Sequence, residues 1–315
     1  MPLCRSAALA LAAPWAGWAV LRATGAERGF PLVPALAFTR YAAGTSVLPL
    51  AAAVLARSRS ATWLSAGAAA LLGGSVLAGG RGTPGAPTTG RPLRLVSLNL
   101  LYGRADPAAV VALAAEADVL ALSEVTPEAV TALLDAGVAD HLPHAHVVPA
   151  AEGRPPGGGG ALWTRLEVRS RSVVPGRFGQ PVARLVLPGA RDVEVTAVHT
   201  HPPTRSPEQV ARWTADLALL PDPEESVLRV LAGDLNATPD HAAFRRLLRR
   251  GWTDAARVAG RALRPTWAPL GFPVPRLTLD HVLVDPRIGV SSLEVVHVPG
   301  SDHRALVAEL RLPPG

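Results

Sequence analysis

Ala61–Ala78 is a run of eighteen apolar and small residues without a single charge. A stretch of that kind folds either as a helix across lipid or as a helix sealed inside a protein. Two more apolar segments precede it. Leu32–Ala56 holds Pro34, Arg40 and Pro49; Ala7–Leu21 holds Pro14, Trp15 and Trp18. A spanning helix needs roughly 17–25 mainly apolar residues. The last segment meets that length, and the middle one does if Arg40 snorkels or faces a neighbouring helix. The first is short: with Arg5 and Arg22 at its flanks it reads as a span or as the apolar region of a signal peptide. Two further apolar segments follow it, which favours a transmembrane helical anchor of about three spans over residues 1–80. The alternatives are a cleaved signal with two spans, or a buried helical hairpin.

The arginines of the N-terminus and of the RSRS loop, Arg57–Ser60, favour the cytoplasmic side of a cell membrane. Three spans then leave the rest of this multi-pass chain extracytoplasmic. Gly79–Pro92 (GGRGTPGAPTTGRP) is too poor in large apolar residues to form a core, and residues 81–92 read as a flexible linker.

The overall hydrophobic content of 49% and mean hydropathy of +0.24 are concentrated before that linker; residues 93–315 have the composition of an ordinary globular domain. The formal charge is +6 and every basic residue is an arginine. That pattern fits GC-rich coding, so the pI near 10.9 is discounted as a sign of nucleic-acid binding, although a basic surface suits an anionic substrate. The single cysteine, Cys4, excludes a disulfide scaffold. There is no internal repeat.

Within the C-terminal domain, apolar runs alternate with helical patterns. RLVSLNL (Arg94–Leu100), DVLALSEV (Asp118–Val125), GGGGALWTR (Gly157–Arg165), VARLVL (Val182–Leu187), DVEVTAVHTH (Asp192–His201), SVLRVLAGDLN (Ser226–Asn236), LTLDHVLVD (Leu277–Asp285), SSLEVVHV (Ser291–Val298) and HRALVAELRL (His303–Leu312) read as strands. Asp106 and Thr126, each followed by proline, read as helix caps; Ser206–Leu219 and Asp240–Arg250 are further helices. Strands outnumber helices, which predicts a layered α/β domain with sheet packed on sheet and helices outside.

Several of these strands end in a polar residue: Asn99, Glu124, His199, Asp234 with Asn236, and Asp280; Asp302 and His303 sit just before the last one. In Asp234-Leu235-Asn236, strand spacing turns both polar side chains to one side. Each is unremarkable alone, because carboxylates often end strands in solvent and Asp and Asn favour turns. Together they predict one edge crowded with carboxylates, amides and imidazoles.

The ordered set SLNL, LSEV, AVHTHPP, GDLNATPD, LDHVLV and GSDHRAL resembles the endonuclease/exonuclease/phosphatase superfamily of deoxyribonuclease-like phosphoesterases, over Leu93–Leu312. The resemblance implies a four-layer α/β sandwich of two packed mixed β-sheets flanked by helices. It implies a divalent cation, Mg²⁺ or Mn²⁺, held mainly by Glu124 and assisted by Asn99 and Asp302. It implies that Asp234 prepares the attacking water, that Asn236 holds a phosphate oxygen, and that His303, partnered by Asp280, moves a proton. His199 matches the deoxyribonuclease-like H-T-H-P pattern; the threonine–histidine pattern of other branches selects His201. Glu124 stands in S-E-V where many members have Q-E. Arg264–Arg276 is a Pro/Trp-rich piece whose Trp267 and Phe272 either stack on a base, face the membrane or pack the loop.

The function so implied is a membrane-anchored, metal-dependent hydrolase of phosphate esters, nuclease- or phosphodiesterase-like. Its substrate is a nucleic acid, a phospholipid headgroup or a small molecule, and no protein partner is evident. The rival readings are a lipid or small-molecule phosphatase and a catalytically silent, membrane-tethered binding module.

Overall fold

The computed structural model describes residues 2–150, 157–272 and 274–314. It begins with helices α1 (Pro2–Thr24), α2 (Leu32–Leu36), α3 (Thr39–Thr45), α4 (Val47–Leu55) and α5 (Arg59–Gly80). Among the described residues two helices are long and apolar enough to cross a membrane, Cys4–Thr24 and Arg59–Gly80. The middle apolar segment, expected as one span, is instead broken into α2, α3 and α4. One cause is Pro49, which has no N–H for the carbonyl of Thr45, so regular pairing lapses at Ser46.

Small residues let these helices pack closely. Ala8, Ala53 and Ala61 are buried together, and further along so are Ala19, Ala68 and Leu72, against Ala42 and Ala43. The pairing of early with early and late with late makes α1 and α5 parallel, with α2–α4 running back between them. Trp15 and Trp18 donate their indole N–H to Thr45 and Thr39, each at 3.1 Å.

The remaining elements are β1 (Arg91–Asn99), α6 (Pro107–Ala115), β2 (Val119–Val125), α7 (Pro127–Asp135), α8 (Val138–His141), β3 (His144–Val148), β4 (Gly159–Thr164), β5 (Val168–Val173), β6 (Pro181–Leu185), β7 (Val193–His199), α9 (Pro207–Leu219), β8 (Leu228–Asp234), α10 (Ala242–Arg249), β9 (Thr253–Asp254), α11 (Ala255–Val258), β10 (Asp280–Val284), β11 (Gly289–His297) and β12 (Arg304–Leu312). They form two six-stranded sheets, in the orders β11-β12-β1-β2-β4-β3 and β5-β6-β7-β8-β10-β9. Both are mixed: β1/β2 and β7/β8 are parallel, and the other named pairs are antiparallel.

The period-two alternation of the strands builds the layers. On β2, Val119 and Ala121 face the second sheet, where they join Val195, Val230 and Val282; Leu120 and Leu122 face α6 and α7. On β8, Val230 and Ala232 point between the sheets and Leu231 points to α9 and α10. The result is helices, sheet, sheet, helices, the four-layer sandwich expected. Asp106, Thr126 and Ser206 cap α6, α7 and α9 through their side-chain oxygens. β3, β5, β9, α8 and α11 were not legible as separate elements in the sequence.

Residues 81–90, read above as linker, carry neither helix nor named strand but lie against the domain. Thr83 donates to the carbonyl of Arg257 at 3.2 Å, and Ala86 bridges to Gly289. The helical region is docked as well. Arg22 pairs with Asp240 at 2.5 Å, Glu27 accepts from the backbone N–H of Ala242, and Val33 joins the apolar cluster of Val198, Trp213 and Leu235.

Candidate active site

The parallel pairs decide where the polar strand ends go. Because β1 runs with β2, and β7 with β8, all four C-terminal ends open on one side, bringing Asn99, Glu124, His199 and Asp234 together. β10 is antiparallel to β8 with Asp280 opposite Asp234, so its start lies at the same edge. β12 is antiparallel to β1, which delivers Asp302 and His303 there too.

Gly233 permits the close approach of β7 and β8: a Cβ there would lie 2.0 Å from the carbonyl oxygen of Val198. Around the cleft the backbone is strained. Glu124 (φ 54°) and Asn236 (φ 46°) are left-handed, as are Leu101 (φ 48°) and Tyr102 (φ 53°) beside them. Non-glycine residues avoid that region unless the surroundings enforce it. Here it turns side chains out of the strand alternation and into one cleft.

The groups form a connected network. The Asn99 amide donates to Glu124 Oε1 at 3.0 Å and to Asp234 Oδ2 at 3.1 Å, while its oxygen accepts from the N–H of Leu101 at 2.9 Å. The Tyr102 N–H donates to Glu124 Oε2 at 2.8 Å. Asn236 donates its backbone N–H to Asp234 Oδ1 at 2.8 Å, and its amide donates to the Thr200 carbonyl at 2.9 Å. His303 Nδ1 is 2.8 Å from Asp280 Oδ2, and its Nε2 points to Asp234 Oδ2 at 3.7 Å. The Trp267 indole donates to Asp302 Oδ2 at 2.8 Å, so this tryptophan holds a carboxylate in place. His199 Nε2 stands 3.8 Å from Glu124 and 4.0 Å from Asp234. His201 also lines the cleft but is 5.7 Å from the Phe178 ring and gives its N–H to Asp216. Of the two histidines weighed above, His199 is the one beside the carboxylates.

Burial and charge set the protonation states. Burial, with the neighbouring charges of Asp280 and Glu124, raises Asp234 to about 7. Burial alone would lower His303, but the charges of Asp280 and Asp234 outweigh it and raise the imidazole to about 10. Burial and the charge on His303 push His199 down to about 3, so it is a neutral imidazole. Burial raises Glu124 too. Four carboxylates in one cleft call for a cation. Asp302 Oδ1 is buried without a hydrogen-bond partner, an acceptor that a metal ion would satisfy. Asp234, Asp280 and His303 bring ligand atoms within 4.8 Å of one another, but Asp280 is already engaged with His303. Glu124 and Asp302 are therefore the better oxygen donors, with Asn99 bracing Glu124 through its N–H.

The sequence reading missed Tyr102, Gln180, Phe178, Thr266 and Ser301. Gln180 Oε1 accepts the N–H of His199 at 3.2 Å, and the Phe178 ring stacks on that imidazole at 4.4 Å. Thr266 accepts the N–H of Asp280 at 3.0 Å. Ser301 links the loop before β12 to the Asn99 carbonyl at 2.7 Å. Ser301 lies inside the GSDHRAL motif and could have been found there; the other four have no distinctive neighbour pattern, so nothing local set them apart.

Residues 96–303 match the family model described as "Endonuclease/Exonuclease/phosphatase family". The chain belongs to the endonuclease/exonuclease/phosphatase family. The match spans the domain from β1 to His303, the whole of the network above. Among solved structures the fold is similar to an endonuclease/exonuclease/phosphatase from Beutenbergia cavernae DSM 12333, at 23% identity and TM-score 0.53, covering 70% of this chain and 72% of that one. It is similar also to a humanized D. rerio TDP2 carrying 14 mutations (16%, TM-score 0.55, 70% and 99%). A third is sphingomyelinase C from Streptomyces griseocarneus (18%, TM-score 0.51, 70% and 99%). No curated protein matches the chain. At these identities the neighbours establish the endonuclease/exonuclease/phosphatase fold.

Proposed function

We propose that this protein is a membrane-attached, divalent-metal-dependent phosphoesterase that cleaves a phosphodiester by attack of water. One observation carries the reading: the unbroken chain of contacts Glu124–Asn99–Asp234–His303–Asp280, which joins both sheets across the cleft. Glu124 and Asp302 would hold the ion. Hard carboxylate oxygens suit Mg²⁺ or Mn²⁺, and a bound ion supplies Lewis-acid stabilisation of the charge growing on phosphate oxygens.

The protein's own groups do the rest. Asp234, poised near neutrality, takes the proton of the attacking water. His303, kept protonated by Asp280, donates to the leaving oxygen. Neutral His199 and the Asn236 amide supply hydrogen bonds to the phosphate. The assay that tests this uses the full chain in detergent with bis(p-nitrophenyl) phosphate, with and without Mg²⁺ and EDTA. Hydrolysis that requires the ion is expected; hydrolysis undiminished by EDTA, or none with Mg²⁺ or with Mn²⁺ in its place, overturns the reading.

Membrane attachment rests on the surfaces of the N-terminal helices. Leu11, Val20, Leu48, Leu55, Trp63 and Leu77 are all exposed, an apolar surface suited to lipid rather than water. The parallel packing of α1 and α5, with α2–α4 returning between them, supports three crossings, the middle one through a broken helix. Three crossings put the catalytic domain opposite the N-terminus, on the extracytoplasmic side.

A further inference from the structure

The catalytic cleft, of about 730 Å³, is not closed by the catalytic domain alone. Pro34, Ala37 and Phe38, from α2 and its junction with α3, form one of its walls. That wall is built into the fold. Val33 gives its carbonyl to His241 Nε2 at 3.0 Å and packs its side chain among Val198, Leu231 and Leu235. Arg40 donates to the carbonyls of Leu263 (3.0 Å) and Arg276 (3.2 Å), and the Tyr41 hydroxyl accepts from the Arg276 N–H at 2.6 Å. These bonds tie α3 to both ends of the Pro/Trp-rich piece, whose Leu270, Phe272 and Val274 are exposed, as are Phe30 and Phe38. The same short helices lie in sequence between the two helices of spanning length.

The cleft therefore combines polar and apolar lining. Carboxylates and imidazoles lie at the sheet edges; Pro34, Ala37 and Phe38 of the helical region, with Pro275 and Leu277, add apolar lining to the same cleft. A nucleic acid needs cationic groups along its backbone. Among the described residues lining the cleft, Arg205 is the one guanidinium, against the carboxylates of Glu124, Asp234 and Asp302. An amphiphile fits both kinds of lining.

Resting on the phosphoesterase reading, we propose that the substrate is a membrane phospholipid. Its phosphate occupies the carboxylate–imidazole side, and its hydrocarbon part runs along Pro34, Ala37 and Phe38 toward the bilayer. The anchor is then a wall of the substrate site as well as a tether. The reaction balances simply: the water oxygen bonds to phosphorus, one ester P–O bond breaks, the water proton goes to Asp234, and the leaving oxygen takes a proton from His303.

A series of p-nitrophenyl alkyl phosphates, ethyl to octyl, tests this with the full chain in nanodiscs and Mg²⁺. Each methylene withdrawn from water adds about fourfold, so kcat/KM should rise at least about tenfold from ethyl to octyl. In Phe38→Ser the octyl-to-ethyl ratio should collapse toward one, and in Phe38→Leu it should persist. A wild-type ratio near one, a ratio unchanged in Phe38→Ser, or faster cleavage of DNA or RNA than of the octyl ester overturns the lipid assignment while leaving the phosphoesterase reading intact. Failure to hydrolyse any member of the series overturns both.

Discussion

Glu124 occupies a left-handed backbone position that a glutamate ordinarily avoids, and it is held there by the Asn99 amide and the Tyr102 N–H. Glu124→Gln keeps size and one acceptor oxygen but loses the charge a cation needs. The variant is expected to fold and to lose most activity. A ligand at a hundredfold excess over its Kd stabilises the native state by about 2.7 kcal/mol, so Mg²⁺ should raise the melting temperature of the wild type clearly and of Glu124→Gln much less. Equal shifts would remove Glu124 from the metal site. His303 and Asp280 are a second unit. His303→Ala and Asp280→Asn should each lower turnover by roughly 10²–10⁴, and the double variant should be little worse than the poorer single one; multiplicative losses would separate their roles. The pH profile follows from the same groups. Asp234 must be deprotonated to accept a proton, so kcat/KM should climb with pH up to about 7, and at lower pH if a neighbouring cation favours the anion. His303 must be protonated to donate, so the fall should come only near pH 10. A descending limb near pH 6.5, the range of an unperturbed imidazole, would show that Asp280 and Asp234 do not hold the proton on His303.

At the level of elements, the site exists because two parallel strand pairs end at the same edge. The weakest point of that arrangement is Gly233, where β8 passes so close to β7 that a side chain has no room. The obstructing atom is a backbone carbonyl, which cannot rotate away. Gly233→Ala is therefore expected to destabilise the domain by about 3 kcal/mol or more, read as a fall in melting temperature or loss of folded protein. A melting temperature equal to that of the wild type would mean that the two strands can separate at no cost, and that their close approach does not position Asp234.

For the molecule as a whole, the helical region and the catalytic domain are joined by specific contacts, among them Arg22 with Asp240 and Val33 with His241. In the proposed topology, three crossings with the N-terminus in the cytoplasm would place the domain outside. Protease added to intact spheroplasts should then release a fragment containing the GDLN and SDH motifs. Release only after lysis would invert the orientation or reduce the number of crossings to two, the number of uninterrupted helices long enough to span among the described residues.

The local sequence carried most of the fold and the polar centre of the site. The unbroken apolar run Val119–Leu122 marked a buried strand, Asp106-Pro107 and Thr126-Pro127 marked helix starts, and the ordered motifs marked Asn99, Glu124, Asp234, Asn236, Asp280 and His303. Those signals depend on a residue and its near neighbours, so they survive in one dimension. What depended on distant chain segments did not. Whether His199 or His201 stood beside the carboxylates, that Trp267 holds Asp302, and that Phe178 stacks on His199 follow from which strands become neighbours. The apolar segment Leu32–Ala56 read as a membrane span by composition alone. Only the tertiary structure brought Pro34, Ala37 and Phe38 to the catalytic cleft, because the hydrogen bonds that dock them come from residues more than two hundred positions away.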